Sequence, residues 1–270
     1  MLEIFVGGEM NILVCVKQVP GSNEVQVDPN TGVLIRTQDN NKLNPYDLFS
    51  IEFALRLKEL VGGSVTTLTM GPPQAKQTIE ETISMGCDTG CVVSDRAFAG
   101  ADVLATSYTL SQAIRKLGAF DLILCGKQTT DGDTAQVGAE LAEHLGIPHL
   151  SNVSSLVSCS AKAIVVDAFQ ENLVITEQLP YPVLLCLDSE INTPRLPSYK
   201  RMKEHKAEVK ILTLMDFEDK DISHYGLRGS PTQVQKIFPP EKNTDRELHE
   251  GSGRQLSDEL AALLVAKKFV

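Results

Sequence analysis

The sequence predicts an α/β fold: a Rossmann-like, doubly wound and mostly parallel sheet with a hairpin insertion and a long C-terminal arm. Short apolar runs of strand length alternate with amphipathic stretches of helical length, and this alternation is typical of parallel sheets covered by helices on both faces. The chain has 270 residues, of which 42% are hydrophobic, so it can bury a large core.

Four apolar runs in the first half of the chain are predicted strands, separated by segments with helix boundary signals. The first helix is the best defined, because Asn44 is a favourable N-cap, Pro45 suits the first helical position and Gly62 ends the pattern. The predicted strands are 12–16, 65–70, 91–93 and 122–125, and the further helices begin at Pro72-Pro73, Ala101-Asp102 and Thr134, the last two ending at Gly118 and Gly146.

Two β-hairpins are predicted outside this alternation. Residues 24–27 and 32–36 flank an Asp-Pro-Asn-Thr turn and form an insertion after the first strand. The second hairpin pairs residues 164–167 with 173–176. Residues 183–187 follow it as a further buried strand, because the run is apolar throughout.

The chain changes character after residue 190. A basic, helix-like segment at 199–206 precedes a polar, turn-rich stretch from about 217, and an amphipathic piece at 256–270 ends the chain. A long tail that cannot form its own core is expected to wrap a partner. The tail contains several large apolar residues, which indicate that it docks onto another surface rather than remaining a loose terminus. These residues are Leu212, Leu214, Phe217, Leu227 and Phe238.

Composition excludes several classes of protein. The net charge of −10 argues against nucleic-acid binding, which needs a basic face, and no apolar run approaches the length of a membrane span. The six cysteines lie mostly in apolar, strand-like runs without a CxxC motif, so we expect buried free thiols rather than a metal site. These features predict a cytoplasmic protein.

The segment 121–138 carries the strongest sign of a ligand site. A buried strand ends at Gly126, a polar turn follows, and a helix is predicted to start near Thr134. The N-terminus of a helix offers free N–H groups and a positive dipole to phosphate. Gly132 and Gly138 permit close backbone approach, while Thr134 and Gln136 can hydrogen-bond phosphate or ribose. On this segment alone, a simple N-cap at Asp133 or Thr134 is an equally good interpretation.

Other strand ends are expected at the same edge of the sheet, which strengthens the prediction of a nucleotide site. Lys17 follows the first strand, Gly71 follows the second, and Gly100-Ala101 precedes the third helix. The sequence has no Walker A or GxGxxG motif, and no Ser/His/Asp or Cys/His arrangement is recognisable. We therefore predict no catalytic residue.

Several motifs resemble, in order, the β subunit of electron-transfer flavoproteins, the FixA-like family. They are Val14-Cys-Val-Lys-Gln-Val-Pro20, Asn44-Pro-Tyr-Asp47, Thr69-Met-Gly-Pro72, Cys125-Gly-Lys-Gln128 with Asp131-Gly-Asp-Thr-Ala-Gln-Val-Gly138, and Asn192-Thr-Pro-Arg195. The resemblance implies pairing with an α subunit that carries the electron-transferring FAD. It also implies that the β subunit holds a second adenine nucleotide, either AMP or a full FAD.

The Asp-Gly-Asp-Thr-Ala-Gln-Val-Gly form resembles the electron-bifurcating and Fix-type members. That resemblance implies a β-bound FAD that takes a hydride from NADH. One electron would go to ferredoxin or flavodoxin, and the other to a flavin-dependent dehydrogenase of acyl-CoA or lactate type. Whether the chain counts as an enzyme depends on this step, because otherwise it is a carrier subunit. The alternatives are a conventional carrier with AMP only and a regulatory module of the universal-stress-protein kind.

The resemblance also implies functional residues and domain limits. The adenine nucleotide is expected around Cys15, Asn44, Met70, Gly126, Lys127, Asp131, Asp133, Thr134, Ala135, Gln136 and Val137. The resemblance does not assign the NADH contacts, which we expect at the 31–36 hairpin and at residues 98–106, including Gly100, Ala101 and Thr106. Docking of the redox partner is expected at Leu196, Pro197, Tyr199 and Met202. The predicted domains are an extension at 1–9, a nucleotide-binding domain at 10–190, and a partner-recognition segment and arm at 191–270.

Overall fold

The computed structural model describes residues 9–21, 41–204, 209–234, 244 and 246–270, and contacts divide the chain into Met1–Val234 and Gln235–Val270. The strands in these ranges are β1 (Met10–Cys15), β2 (Gln18–Pro20), β3 (Asn41–Leu43), β4 (Gly63–Met70), β5 (Thr89–Val93), β6 (Leu122–Gly126), β7 (His149–Cys159), β8 (Ala163–Gln170), β9 (Leu173–Pro180), β10 (Val183–Leu187) and β11 (Val209–Leu212). The helices are α1 (Pro45–Val61), α2 (Lys76–Met85), α3 (Val103–Leu117), α4 (Val137–Leu145), α5 (Tyr199–Glu204) and α6 (Gly253–Ala266).

One large sheet organises the first unit, with the strand order β11-β5-β4-β1-β6-β10-β7-β8-β9. The strands from β11 to β7 are parallel, whereas β8 and β9 add an antiparallel edge. The chain moves outward from β1 through β4 to β5 and then places β6 on the other side of β1. This reversal makes the carboxyl ends of β1 and β6 the switch point, where open α/β sheets bind ligands.

Helices cover both faces of the sheet, which confirms the doubly wound α/β prediction. On one face α1 and α2 bury Ile51 and Ile79 in a cluster with Ile12 of β1. On the other face α3 and α4 bury Ala113 and Leu141 in a second cluster. Removing these aliphatic side chains from water is the main force that holds the helices to the sheet.

The predicted elements of the nucleotide-binding region are largely confirmed. The four early strands, the buried strand β10 and the second hairpin (β8 and β9) form as predicted, and α1 starts at Pro45 and ends before Gly62. A 3-10 turn, Pro73–Ala75, precedes α2, so that helix starts slightly later than the proline pair suggests. The 24–36 hairpin lies outside the described residues, but β2 and β3 form an antiparallel pair at either end of that insertion.

Besides the short strands β2 and β3, two strands of the large sheet were not predicted. The sequence of β7, His-Leu-Ser-Asn-Val-Ser-Ser-Leu-Val-Ser-Cys, is rich in serine and has no clean alternation, yet the strand is held in place by β10 on one side and β8 on the other. The other, β11, has only four residues and pairs with β5 at the edge of the sheet. Neither strand has an apolar run of its own, so tertiary pairing decides its conformation.

The apolar residues after residue 210 were predicted to dock onto a partner, and this prediction is wrong for three of them. Leu212 and Phe217 are buried in the chain's own second core cluster, Leu214 packs against it, and the Phe217 ring stacks on Phe98 with centroids 5.5 Å apart. Leu227 is exposed, and Phe238 lies outside the described residues. The sheet and core therefore continue past the predicted boundary at residue 190.

The amphipathic end piece forms α6, which begins with a capping box. Ser252 Oγ accepts a hydrogen bond from Gln255 N at 3.5 Å, and Ser252 N donates to Gln255 Oε1 at 3.1 Å. No side chain of α6 is buried. Across the described ranges, no helix is both long enough and apolar enough to cross a membrane.

Candidate functional site

The candidate site is the region beyond the neighbouring carboxyl ends of β1 and β6, next to the start of α1, and is called the crevice below. Lys17 lies just beyond β1, and the loop after β6, residues 127–136, forms the opposite wall before α4 begins. Lys17 Nζ donates to both carboxylate oxygens of Asp131 at 2.8 Å, so an ion pair spans the crevice. Both side chains are partly exposed, so the pair contributes little to stability and can exchange partners.

The Asn44 side chain joins the start of α1 to the loop that follows β6, instead of capping the helix. Asn44 Nδ2 donates to the carbonyl of Gln128 at 2.9 Å, and Asn44 Oδ1 accepts from Thr130 N at 3.3 Å. Asn44 is the N-cap of α1 as predicted, but its side chain forms no capping bond to the helix. Buried Asn44 thereby holds the crevice loop against α1.

Asp47 is a buried carboxyl group at the start of α1, which the sequence analysis named only as the last residue of the Asn44–Asp47 motif. Its Oδ2 accepts from Lys17 N at 2.7 Å, and its Oδ1 accepts from Asn44 Nδ2 at 2.9 Å. Burial raises the pKa of Asp47 to about 7, although the hydrogen bonds from Asn44 and Lys17 oppose the rise. The signal that could have found it is its place in the Asn-Pro-Tyr-Asp motif, after a strand end and before an apolar helix.

Gly126 allows α1 to approach the end of β6 this closely. A Cβ at this position would overlap Asp47 Oδ1 and lie 2.8 Å from the carbonyl carbon of Tyr46. Both neighbours belong to the start of α1, which cannot shift without moving the helix. Any side chain at residue 126 would therefore push the floor of the crevice away from its wall.

The start of α4 differs from the prediction. The helix begins at Val137 rather than Thr134, and neither Asp133 nor Thr134 is its N-cap. Asp133 and Ala135 have positive φ angles of 49° and 54°, so the segment before the helix is an irregular loop. Asp133 N donates to Thr129 O at 3.0 Å, and Gln128 Nε2 donates to Asp133 Oδ1 at 3.1 Å, so local bonds hold this conformation.

The N-cap of α4 is Gln136, whose side chain makes no capping bond. The first N–H groups of α4 therefore have no acceptor from that cap, and residues 131–136 are exposed. Left-handed backbone at non-glycine residues is costly and is often found where a ligand is held. An anion could accept from this helix start without displacing a protein side chain.

Lys127 faces the neighbouring strand. Lys127 Nζ pairs with Asp188 Oδ2 at 2.8 Å at the end of β10, and Lys127 N donates to Leu187 O at 3.0 Å. Burial, the largest single influence, would raise the pKa of Asp188, but the hydrogen bonds from Lys127, Glu190 N and Ser189 and the charge of Lys127 together lower the pKa below its usual value. The structure thus gives Lys127 a role in joining β6 to β10, next to the crevice.

Three thiols line the sheet directly below the crevice. Cys15, Cys125 and Cys186 lie on the adjacent strands β1, β6 and β10, with Cys186 in register with Cys125, and all three are buried and unpaired as disulfides. The hydrogen bond with Cys15 is the largest cause that raises the pKa of Cys125 well above its usual value. A Cβ on Gly138 would overlap Cys186 Sγ, so the glycine lets α4 pack onto this row. The described residues contain no cluster suited to a metal ion.

The residues predicted to contact NADH lie around the start of α3. Asp102 caps α3 by accepting from Ala105 N at 3.1 Å, and it also accepts from Thr232 N at 3.0 Å and from Thr232 Oγ1 at 2.7 Å. The chain's own residues therefore already occupy this helix start. Gly100 is exposed, and Ala101 and Thr106 are half-buried.

The second turn of α3 lies beside α4. Ser107, adjacent to Thr106, donates to Glu140 in the first turn of α4 at 3.2 Å. Met70 is half-buried at the end of β4, beside β1 on the same edge of the sheet. The structure thus brings most of the predicted nucleotide residues to one edge, with the Gly100–Ala101 turn further along it.

The predicted docking residues form an exposed apolar patch at and before α5. Leu196, Tyr199 and Met202 are 88%, 68% and 60% exposed, whereas Pro197 is half-buried. Lys203 Nζ lies over the Tyr199 ring, 4.9 Å from its centroid. Single exposed apolar residues are ordinary, but three in one short segment are typical of an interaction surface.

The doubly wound sheet and the crevice at its switch point define a Rossmann-like α/β protein. The family is shown by comparison: the model described as "Electron transfer flavoprotein domain" matches residues 31–216. The chain belongs to the electron transfer flavoprotein family, among the β-subunit and FixA-like members. This confirms the resemblance drawn from the sequence motifs.

Three curated relatives illustrate the match. Electron transfer flavoprotein subunit beta of Thermoanaerobacterium thermosaccharolyticum is 42% identical, covering 97% of this chain and 100% of the relative. Caffeyl-CoA reductase-Etf complex subunit CarD of Acetobacterium woodii is 41% identical, covering 96% and 97%. Protein FixA of Azorhizobium caulinodans is 40% identical, covering 88% and 87%. Their similarity extends over nearly the whole chain.

Proposed function

We propose that this chain is the β subunit of a two-subunit electron-transfer flavoprotein, binds FAD in the β1/β6 crevice and accepts a hydride from NADH. The pair of electrons is then divided between ferredoxin or flavodoxin and a flavin-dependent dehydrogenase of acyl-CoA or lactate type. The proposal rests on the family and on relatives named FixA and caffeyl-CoA reductase-Etf complex subunit. The universal-stress-protein interpretation has no such support.

The observation that carries the proposed cofactor site is the start of α4. Its N–H groups lack a side-chain cap, and the exposed 131–136 loop before it offers Thr134 and Gln136 as additional hydrogen-bonding groups. A diphosphate or monophosphate fits a helix start of this kind because the partial positive charge there stabilises an anion. The residues present therefore fit an adenine nucleotide.

Each wall of the crevice would have its own part in holding the nucleotide. The loop 127–136 would bind phosphate and ribose, while Asn44 keeps that loop against α1. Lys17 would remain paired with Asp131 or turn to the phosphate, since the ion pair is partly exposed. Cys15, Met70 and Gly126 would form the apolar surface under the nucleotide. FAD, when bound, supplies the conversion between two-electron and one-electron transfer.

Partner contacts complete the proposal. The apolar patch of Leu196, Tyr199 and Met202 would dock the dehydrogenase, because exposed apolar and aromatic residues dominate interface energies. The chain beyond residue 234, including α6 with the exposed Leu260 and Val265, would wrap the α subunit. NADH would approach along the Gly100–Ala101 turn and Thr106, next to the first turn of α4.

The decisive experiment is co-purification of this chain with its α subunit, followed by release and quantification of bound nucleotides. Two FAD per complex, with both reduced on addition of NADH, supports the proposal. One FAD and one AMP identifies a conventional carrier, and the NADH step is then wrong. A complex without any nucleotide would contradict the crevice site altogether.

A further inference from the structure

The irregular segment before α5 is fixed to the domain at several points. Asn192 Nδ2 donates to the carbonyl of Phe49 at 2.9 Å, and Arg56 Nη2 donates to the carbonyl of Thr193 at 3.2 Å. Ser198 N donates to the carbonyl of Ser84 at 2.9 Å. The segment 192–198 therefore lies against α1 and the end of α2 as firmly as an element of regular structure.

Arg195 and Glu52 form the strongest of these contacts. Arg195 Nε donates to Glu52 Oε2 at 2.7 Å, Arg195 N donates to the same oxygen at 3.1 Å, and Arg195 Nη1 donates to Glu59 Oε1 at 2.6 Å. The Glu52 side chain is only 4% exposed, and Arg56 Nε donates to its other oxygen at 2.6 Å. A buried carboxylate with two guanidinium partners is the kind of ion pair that fixes geometry.

These ion pairs of Arg195 with Glu52 and Glu59, called the clamp below, lie directly beside the most exposed apolar side chain of the segment. Leu196 follows Arg195 in the chain and is 88% exposed. Arg195 is thus held in a network of charges, while Leu196 extends into solvent. An apolar residue on a fixed backbone binds more tightly than the same residue on a loose loop, because the entropy of ordering has already been lost.

We propose that Glu52 and Arg195 are positioning residues that hold segment 192–198 on α1, so that Leu196 is presented in its binding geometry before a partner arrives. The proposal rests on the docking function proposed above. It goes further by assigning part of the affinity of that surface to a pair of residues that act through the position of Leu196. Glu59 strengthens the clamp from its exposed side.

The clamp itself is tested without any redox partner. Hydrogen–deuterium exchange is measured on the complex of this chain with its α subunit, comparing wild type with Glu52→Gln. Peptides containing Arg195 should exchange about tenfold faster in the variant, since the Arg195 amide loses its carboxylate acceptor and the segment loses its ion pair, while peptides from the 127–136 loop stay unchanged. Unchanged exchange around Arg195 would overturn the proposal. Arg195→Gln tests the same bond from its half-exposed partner and keeps the test valid if Glu52→Gln folds poorly.

The positioning role is tested by steady-state reduction of an acyl-CoA dehydrogenase by the same complex. Glu52→Gln should raise KM for the dehydrogenase about fivefold and leave kcat and flavin content unchanged. In a Leu196→Ala background the same substitution should add nothing, because the presented side chain is gone. An equal KM effect in both backgrounds would show that Glu52 acts elsewhere and would refute the positioning role.

Two controls separate this inference from the docking function. Glu80→Gln removes an exposed ion pair with Lys76 on α2 and should change neither exchange around Arg195 nor KM. If Leu196→Ala leaves KM at the wild-type value, the docking function has failed. Exchange around Arg195 then still decides whether the clamp holds the segment.

Discussion

Helix α1 carries two buried carboxyl groups little more than one turn apart, and their surroundings are opposite in kind. Asp47, at the crevice, is bound by the Asn44 amide and the backbone N–H of Lys17, and burial raises its pKa to about 7. Burial alone would also raise the pKa of Glu52, but the hydrogen bonds from Arg195 and Arg56 lower it below the usual value of 4.5. Among the described residues, no cationic side chain is hydrogen-bonded to the Asp47 carboxyl group, whereas two guanidinium groups bond Glu52.

The difference in surroundings indicates a structural role for Glu52 and a ligand-binding role for the end of α1 that carries Asp47. At Glu52 every charge is matched within the chain, so the structure there is complete and its purpose is to hold a neighbouring segment still. At the crevice the cation of Lys17 is turned to Asp131, the cap of α4 is missing and two loop residues have positive φ. That end of α1 is the one that a bound nucleotide would complete.

The largest effect is expected from filling the gap between α1 and β6. Gly126→Ala should lower the free energy of unfolding by about 3 kcal/mol, because its Cβ overlaps the backbone and carboxyl group at the start of α1. Urea denaturation measures this. Gly132→Ala is the matched control: its Cβ would have only ordinary contact with Thr129 Oγ1 at 3.4 Å. Equal stability of the two variants would show that the crevice floor is not tightly packed.

The second effect concerns Asp47 and depends on pH. Because its pKa is raised from 3.8 to about 7 in the folded state, the native protein holds a proton that the unfolded chain has lost, and stability falls as pH rises through this window. Asp47→Asn removes the titration, so between pH 5 and pH 8 its stability relative to wild type should rise by about 2 kcal/mol.

Denaturation curves of both proteins at the two pH values measure this difference directly. The wild-type protein serves as the reference at each pH, so that titration of other groups cancels. If the difference between variant and wild type is the same at pH 5 and pH 8, Asp47 is ionised throughout and the contrast with Glu52 disappears.

Glu52 should show the reverse dependence. Its pKa is lower in the folded than in the unfolded state, so its contribution is present above the unfolded value of 4.5 and is lost as the pH falls. Glu52→Gln keeps an oxygen acceptor but loses the charge, so it should cost about 1.5 kcal/mol at pH 7, the lower range for a hydrogen bond to a charged group, and progressively less below pH 4.5. A thermal-denaturation series from pH 3 to pH 7 tests the trend. A cost that grows towards acid pH would contradict the assigned ion pairs.

The sequence predicted the parts of the fold that carry a local signal. Asn44-Pro45 and Gly62 placed α1 correctly, and apolar runs placed β1, β4, β5, β6 and β10. The prediction failed where tertiary contacts determine the structure. The serine-rich strand β7 is held between two other strands, and Phe217, which was predicted to anchor the tail on a partner, is buried in the second core cluster of the chain itself. Anchors and core residues look alike in sequence because both are large and apolar.

The candidate site was predicted in outline, and its details were not. The turn after β6 lies where the motif predicted it. However, α4 starts at Val137 and not at the predicted Thr134, because Asp133 and Ala135 adopt a left-handed backbone that side-chain preferences do not predict. Asn44 was identified for a capping role and instead bonds the 128–130 backbone. Asp47 and Glu52 were overlooked as a pair, since burial and ion pairing are properties of the folded chain.

The smallest effect on stability, and the sharpest test of the crevice, is expected from replacing Asp133 and Thr134 together with alanine. Both residues are exposed, and among the described residues the Asp133 side chain accepts from Gln128 Nε2 alone, so the free energy of unfolding should change by about 0.5 kcal/mol. Nucleotide content of the complex with the α subunit should nevertheless fall severalfold, because this loop leads into the uncapped start of α4. Thr130→Ala, exposed in the same loop, is the control and should retain the nucleotide. If the double variant keeps its full complement of FAD or AMP, the nucleotide is bound elsewhere, and the open end of α1 is not the part of the molecule that a ligand completes.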